Sequence, residues 1–410
     1  MSILVLVLES LFIVILDFKI HKTLYTPTIF LSVPFVVITL CAFCMTEKMG
    51  LLPIYLPSLY YWCIGLFLFW IVGVLISTLF SVRYDKVITS AFAFPVIAIP
   101  FQNNFFICLI SLCALFIDIF TCQALAKNGF IISDHLGEEL STGLIAHCGL
   151  FLRYSSIASF ILIKKQINWK NVFHLFILLS LMFYLLCLAV KGAVLITILA
   201  GTIGRLIIAK KTFKITYIIY LLLVAFFVFF VIYSFLFEEP APIDFILTHI
   251  YFYFTSGIVG FSNYVKDGAP IALNFNLLFM PILNLYNKLN GIELQPVVSD
   301  IWTYVGDNKT SNVKTFFGTI LIYGGYVGGI VTTIIWSMVC HLNFILAKSN
   351  NSFFFLNYLL LLAALLLGWF DCFFNMISYY EFMIYVIFFQ IVFELKNSKH
   401  SIFRLDTHVS

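Results

Sequence analysis

The chain has 410 residues, 62% of them hydrophobic and only 10% charged, with a mean hydropathy of +1.07. A soluble domain carries about 25% charged residues, so the soluble globular classes are excluded and an integral membrane protein is indicated. The net charge of +4 decides nothing as a total, because the placement of Lys and Arg along the chain sets topology.

Apolar runs of membrane-spanning length recur at approximately 2–16, 24–45, 58–80, 103–126, 141–163, 171–190, 192–209, 215–237, 316–346, 353–374 and 378–394. This pattern predicts an all-α fold, a polytopic integral membrane protein of about 11–12 transmembrane helices with one large periplasmic loop. A β-barrel would instead show short segments of alternating hydrophobicity. The first run carries no cleavage pattern and reads as a retained span. The segment 87–101 contains Pro95 and Pro100 and reads as a full span, a re-entrant piece or an interfacial helix. Counting it as a span flips the three helices before it. Residues 127–140, KNGFIISDHLGEEL, are polar and acidic, with a short helix expected from Ser133. The resulting organisation is a bundle of about eight spans over 1–237, a loop over 238–315, about three spans over 316–396 and a tail over 397–410. Ten cysteines are present. All fall in the expected spans, so the Cys41/Cys44 pair reads as packing rather than as a redox or metal motif.

Basic residues fix an orientation. With the tail cytoplasmic (Lys396, Lys399, Arg404), alternate connections hold Lys348, then Arg205, Lys210, Lys211 and Lys214, then Lys164, Lys165 and Lys170, then Arg83 and Lys86, then Lys19 and Lys22. The 238–315 segment then lies outside. Its four lysines are outnumbered by seven carboxylates, and it contains no arginine. It is too apolar to be a disordered linker. The runs 245–261 and 271–289 are expected to lie as helices in the interface, where one face meets acyl chains and the other meets water. A long structured loop between hydrophobic spans is where function concentrates.

Several side chains could carry chemistry. Arg153 sits near the middle of an expected span, where a charge costs several kcal/mol unless it has a partner or a cavity. It reads either as an ion-pair partner of Asp118, Asp371 or Glu381, or as an anion clamp. Lys191, at the start of a span, reads as an interfacial anchor or as a second cation for the same anion. Lys314 is a third, weaker one, because guanidinium binds phosphate bidentately. His249 is a candidate general base, or incidental. Asp300 and Asp307 flank Trp302 and Tyr304. Carboxylates beside aromatic rings suit sugar binding, and an aromatic belt with solvated acids is the alternative. Glu9, Asp118, Asp371 and Glu381 are acids within or beside the apolar runs, open to proton or substrate roles or to pairing with Arg153.

The stretch Ser311–Ile330, SNVKTFFGTILIYGGYVGGI, resembles the segment that closes the large loop of the Wzy-type oligosaccharide repeat-unit polymerases, the O-antigen polymerases. The resemblance rests on Asn312-Val313, Phe317-Gly318 and Gly325-Tyr326-Val327-Gly328. YFYFTSGIVGFSNYV resembles the family's earlier loop segment, and Lys191-Gly192 stands where many members place an arginine and a small residue. Gly324 departs from the family, which often has an acid there. The resemblance implies a bacterial inner-membrane glycosyltransferase that moves a growing glycan from undecaprenyl pyrophosphate onto the next lipid-linked repeat unit at the periplasmic face. It implies a catalytic set drawn from His249, Asp300 and Asp307, with pyrophosphate held by Arg153, Lys191 and Lys314. Sugar would meet Tyr251, Tyr253, Trp302, Tyr304 and Asn312. No cofactor, metal or nucleic acid is expected. The expected partners are lipid-linked repeat units, the bilayer, a chain-length regulator and a repeat-unit flippase. An O-antigen ligase, which shares the large loop and donor, is the nearest alternative. A flippase or other polysaccharide transporter without catalysis is the non-enzyme alternative, with evenly short loops as its expected mark.

Overall fold

The computed structural model describes residues 2–81, 101, 103–164, 168–188, 190–211, 242–295, 301–348 and 351–405, with isolated positions between 223 and 234. The run 215–237 lies mostly outside the described residues, as does 87–101 except for Phe101. The described chain is mainly helical: α1 (Ser2–His21), α2 (Pro27–Met45), α3 (Leu59–Ser81), α4 (Asn104–Lys127), α5 (Asp134–Leu140), α6 (Gly143–Leu162), α7 (Trp169–Cys187), α8 (Lys191–Ile208), α9 (Ile243–Lys266), α10 (Met280–Leu289), α11 (Phe316–Lys348), α12 (Ser352–Leu366) and α13 (Ile377–Leu405). Among the described residues α2, α3, α4, α6, α7, α9 and α11 are long and apolar enough to cross a membrane, and α8, α12 and α13 hold shorter apolar stretches.

Helix starts follow the side chains that can satisfy free backbone N–H groups. The side chains of Thr26, Asn103, Asn168 and Asn351 cap α2, α4, α7 and α12. Pro27 occupies the first turn of α2, where its missing N–H costs nothing. Ser133 Oγ accepts from Leu136 N at 3.3 Å and starts α5 at the expected place.

The helices share two ends of opposite character. At one end Lys348 Nζ donates to His21 O at 3.3 Å, Tyr25 Oη to Lys211 O at 2.5 Å, and Arg205 Nη2 to Ile163 O at 2.6 Å. The connections carrying Lys22, Lys164, Arg205, Lys210, Lys211 and Lys348 therefore gather there, and this is the basic end. At the other, Leu52 N donates to Val305 O at 2.8 Å, Trp62 Nε1 to Thr315 Oγ1 at 2.8 Å, and Tyr184 Oη to Leu140 O at 3.0 Å.

The helical expectation holds, with one short hairpin added at this second end. Thr303–Gly306 (β1) and Lys309–Ser311 (β2) pair antiparallel, with Asp307 and Asn308 between them at φ 44° and 54°. Asp and Asn tolerate this left-handed backbone better than other non-glycine residues, which suits them to a tight hairpin turn. We call this the hairpin end. The expected run 353–374 is corrected. α12 stops at Leu366 because the chain leaves the helix to pair with the start of α11: Thr315 N donates to Phe370 O at 3.0 Å and Phe316 N to Gly368 O at 2.7 Å. Cys372 consequently lies in extended chain ahead of a short 3₁₀ turn, and not in a long helix.

The run expected at 245–261 is one longer helix, α9, whose contacts keep to the hairpin end. Ile246 packs near Leu195 in the first turns of α8. Tyr253 stacks on Phe370 and Phe254 on Trp369, with ring centroids 5.7 and 4.8 Å apart. Farther along, Gly257 lies so close to the 369–370 backbone that a Cβ would stand 2.4 Å from Phe370 O, and at Gly260 it would stand 3.0 Å from Val313 O. The helix thus runs across the bundle end, and its second half is laid directly on backbone.

The expected second helix, 271–289, is corrected to an extended piece, a short 3₁₀ turn (Phe275–Phe279) and α10. Pro281 favours a fresh helix start there. The extended piece docks into a break in α11, where Gly325 has φ 63° and ψ −160°. Breaking a helix frees a backbone carbonyl. Here Leu273 N donates to Ile322 O at 3.1 Å, so the loop itself restores a bond at the break.

Candidate functional site at the hairpin end

Arg153 lies on α6, is 6% exposed, and draws on three helices. Its Nε donates to Thr197 Oγ1 of α8 at 3.2 Å. Its guanidinium lies 5.6 Å from the ring centroid of Phe382 on α13. Nη2 is buried with no hydrogen-bond partner, and so is the hydroxyl of Tyr379, also on α13, which lies within electrostatic reach of the guanidinium. Helix side chains lean toward the helix N-terminus, and α6 starts at the hairpin end. The charge is therefore directed at that end from the interior.

The ion-pair alternative is not made. Asp118 Oδ2 accepts from Ser180 at 2.6 Å. Asp371 Oδ1 accepts from Thr319 Oγ1 at 2.5 Å and from Cys372 N at 2.8 Å. Glu381 is engaged on both oxygens, by His147 Nδ1 at 2.7 Å and by Tyr385 Oη at 2.6 Å. Thus a buried cation keeps an unused donor while each candidate acid is held by something else. Lys191 opens α8, and the backbone of the next residue, Gly192, approaches Phe373. Lys191 is therefore placed at the hairpin end of the helix that holds Thr197, but its side chain lies outside the described residues.

Lys314 is placed differently from Arg153. It is 1% exposed, and its Nζ donates to Ser311 O at 2.7 Å and Ile301 O at 3.3 Å, fastening the base of the hairpin. Burial pushes its ammonium down to about 8, and the nearby Asp371 carboxylate opposes that fall. Burial in turn raises the Asp371 carboxyl, against the Thr319 and Cys372 hydrogen bonds and the Lys314 charge. Between about pH 8 and the ordinary lysine value of 10.5 the unfolded chain then binds more protons at Lys314 than the native one. Native stability should rise with pH across that window. The thermal midpoint in detergent is expected to climb from pH 8 to 10 in the wild type relative to Lys314→Met. Parallel curves for the two proteins would refute the buried ammonium.

The other expected site residues are dispersed. The expected base, His249, sits in α9 with Nδ1 donating to Phe245 O at 3.2 Å and its ring against Tyr233 and Phe245. Asp307 is at the hairpin turn, its carboxylate lying over Gly50, so it and His249 occupy separate surroundings. Asp300 lies outside the described residues. Trp302 and Tyr304 are exposed and Thr303 and Val305 buried, which is the alternation of a strand with one free face. Tyr251 has a buried hydroxyl without a partner, Tyr253 stacks on Phe370, and Asn312 is half-buried beside the hairpin.

His147, Thr197, Tyr379, Phe382 and Tyr385 were not among the expected site residues. One signal for them existed: Glu381 and Tyr385 are spaced to share a helix face, and an acid within an apolar helix needs a partner.

A family description, "Family of unknown function (DUF6337)", matches residues 50–399. The chain belongs to that family. No curated protein and no solved structure matches it.

Proposed function

We propose that this member of the DUF6337 family is an O-antigen polymerase of the bacterial inner membrane. It transfers the growing glycan from undecaprenyl pyrophosphate to the next lipid-linked repeat unit at the hairpin end, which faces the periplasm. The observation that carries the reading is the buried Arg153 guanidinium with its free Nη2. A buried charge without a counter-ion is costly, and an anion arriving from the hairpin end would supply what is missing. Pyrophosphate is such an anion, and a guanidinium is suited to it. The resemblance around Ser311–Ile330 supports the same reading, since Gly325-Tyr326-Val327-Gly328 includes the α11 break onto which the loop docks.

The character of the two ends supports this orientation. The connections with Lys22, Lys164, Arg205, Lys210, Lys211 and Lys348 share one end, as expected of a cytoplasmic face. Asp267, exposed at the C-terminal end of α9, would be periplasmic. An Asp267→Cys variant in a cysteine-free background should react with a membrane-impermeant maleimide in spheroplasts with an intact inner membrane. Reaction only after permeabilisation would reverse the orientation.

The function is tested by deleting the gene and resolving lipopolysaccharide on a gel. A polymerase deletion leaves lipid A–core capped with one repeat unit. Uncapped core with polymer retained on the carrier lipid would identify a ligase instead, and an unchanged ladder would remove both readings.

A further inference from the structure

The pair His147 and Glu381 sits where α6 and α13 begin, on the same two helices that hold Arg153 and Phe382. His147 is the fifth residue of a helix that opens at Gly143, and Glu381 the fifth of one that opens at Ile377. Both are therefore near the hairpin end. Nδ1 of His147 is 2.7 Å from Glu381 Oε1, and the His147 side chain is 51% exposed while that of Glu381 is 11% exposed. Tyr385 Oη, one turn along α13, is 2.6 Å from Glu381 Oε2 and 3.0 Å from His147 O. The carboxylate is thus held on both oxygens. It fixes the proton of the neutral imidazole on Nδ1, which leaves the lone pair on Nε2, on a ring that is half open to its surroundings.

This is the arrangement a general base needs: an imidazole, an acid that orients it, and a third group that orients the acid. In their described contacts the two expected candidates, His249 and Asp307, are engaged differently. His249 donates Nδ1 to its own helix backbone, and Asp307 serves the hairpin turn. The same two helices also carry the second requirement of glycosyl transfer, a cation for the departing charge, in Arg153. Glu381 and Phe382 are adjacent in sequence, and Phe382 lies under the Arg153 guanidinium.

We propose that His147 is the catalytic base of the transfer, with Glu381 and Tyr385 as its positioning residues; this rests on the polymerase reading given above. The acceptor sugar's hydroxyl gives its proton to His147 Nε2 as its oxygen bonds to the anomeric carbon of the donor glycan. The bond from that carbon to the pyrophosphate oxygen breaks, and its electron pair leaves on undecaprenyl pyrophosphate, where Arg153 meets the charge. The imidazolium then returns its proton to water or to the released pyrophosphate. No oxidant, metal or nucleotide is required for the balance.

The test uses full-length protein in membranes of the deletion strain, supplied with lipid-linked repeat units extracted from that strain. His147→Ala at wild-type protein levels should slow repeat-unit addition roughly 10²-fold or more, and imidazole in the buffer should restore part of the rate. Glu381→Gln and Tyr385→Phe should lower the rate by smaller factors, and imidazole should not rescue them. If His147→Ala does not accumulate, His147→Gln takes its place with the same expected loss. A variant lacking the imidazole that keeps at least half the wild-type rate overturns the proposal, as does an inactive His147→Ala that imidazole leaves unchanged. In either case the wild-type membranes still extend chains, so the polymerase reading stands. If the wild-type membranes themselves add no repeat units, it is that reading which fails.

Discussion

Arg153→Met should abolish chain extension and leave a protein at least as stable as the wild type. The two halves of this expectation come from one observation. The guanidinium is buried, makes one hydrogen bond from Nε to a neutral hydroxyl, and leaves Nη2 without a partner. Desolvating such a charge costs several kcal/mol, while a contact with an aromatic face returns about 0.5–2. A methionine fills much the same space without the charge, so its effect on folding is expected to be neutral or favourable. The catalytic effect has the opposite sign. If the charge meets pyrophosphate, its removal should cost on the order of 10²-fold or more in rate. Arg153→Lys should also lose most of the activity, because the ammonium keeps the charge but not the planar fork. The measurements are repeat-unit addition by membranes given extracted lipid-linked units, and the thermal midpoint of each purified variant in detergent. A stable, fully active Arg153→Met would end the clamp idea. An unstable one would assign the arginine to the packing of α6, α8 and α13.

The helices were legible because their signal is compositional: runs near 20 apolar residues have few other solutions. The gathering of Lys22, Lys164, Arg205 and Lys348 at one end was legible for the same kind of reason, since charge placement follows the orientation of each span. What the sequence concealed was backbone pairing at long range. Gly368 offers a local stop just past Leu367, but the apolar run continues through Trp369 and Phe370, and nothing local says what the chain does next. That depends on Phe316 N and Thr315 N, which come from far earlier in the chain. The hairpin was hidden in a different way, because Asp307 reads as a catalytic or sugar-binding acid, whereas its backbone and that of Asn308 carry the turn. The candidate site was legible only in part. A mid-helix arginine is conspicuous, so Arg153 stands out in the sequence as a candidate. His147 does not, because its pairing comes from Glu381, which only folding brings to its side. The reverse happened at Lys314, where a plausible anion ligand proved to be tied to two backbone carbonyls.

The second large effect is expected at the break in α11. Gly325→Ala should destabilise the protein by about 3 kcal/mol or more, of which about 1–3 is backbone strain. Gly325 has φ 63° and ψ −160°, a region that residues with a side chain scarcely enter. An added Cβ would also stand 2.7 Å from the Cβ of Ala272, so the docked loop would have to move. Two causes of this kind can be separated. Ala272 has φ 63° itself, so Ala272→Gly alone should be neutral or slightly stabilising. Combined with Gly325→Ala it removes the clash and leaves the strain. The double variant should therefore recover part of the lost thermal midpoint in detergent, but not all of it. Loss of docking has its own readout, because Leu273 N would part from Ile322 O. Trypsin should then cut at Lys266 and Lys288, the exposed lysines that flank the loop, faster in Gly325→Ala than in the wild type. A Gly325→Ala protein with the wild-type midpoint and wild-type trypsin resistance would show that the loop is not held by the break and is fastened elsewhere.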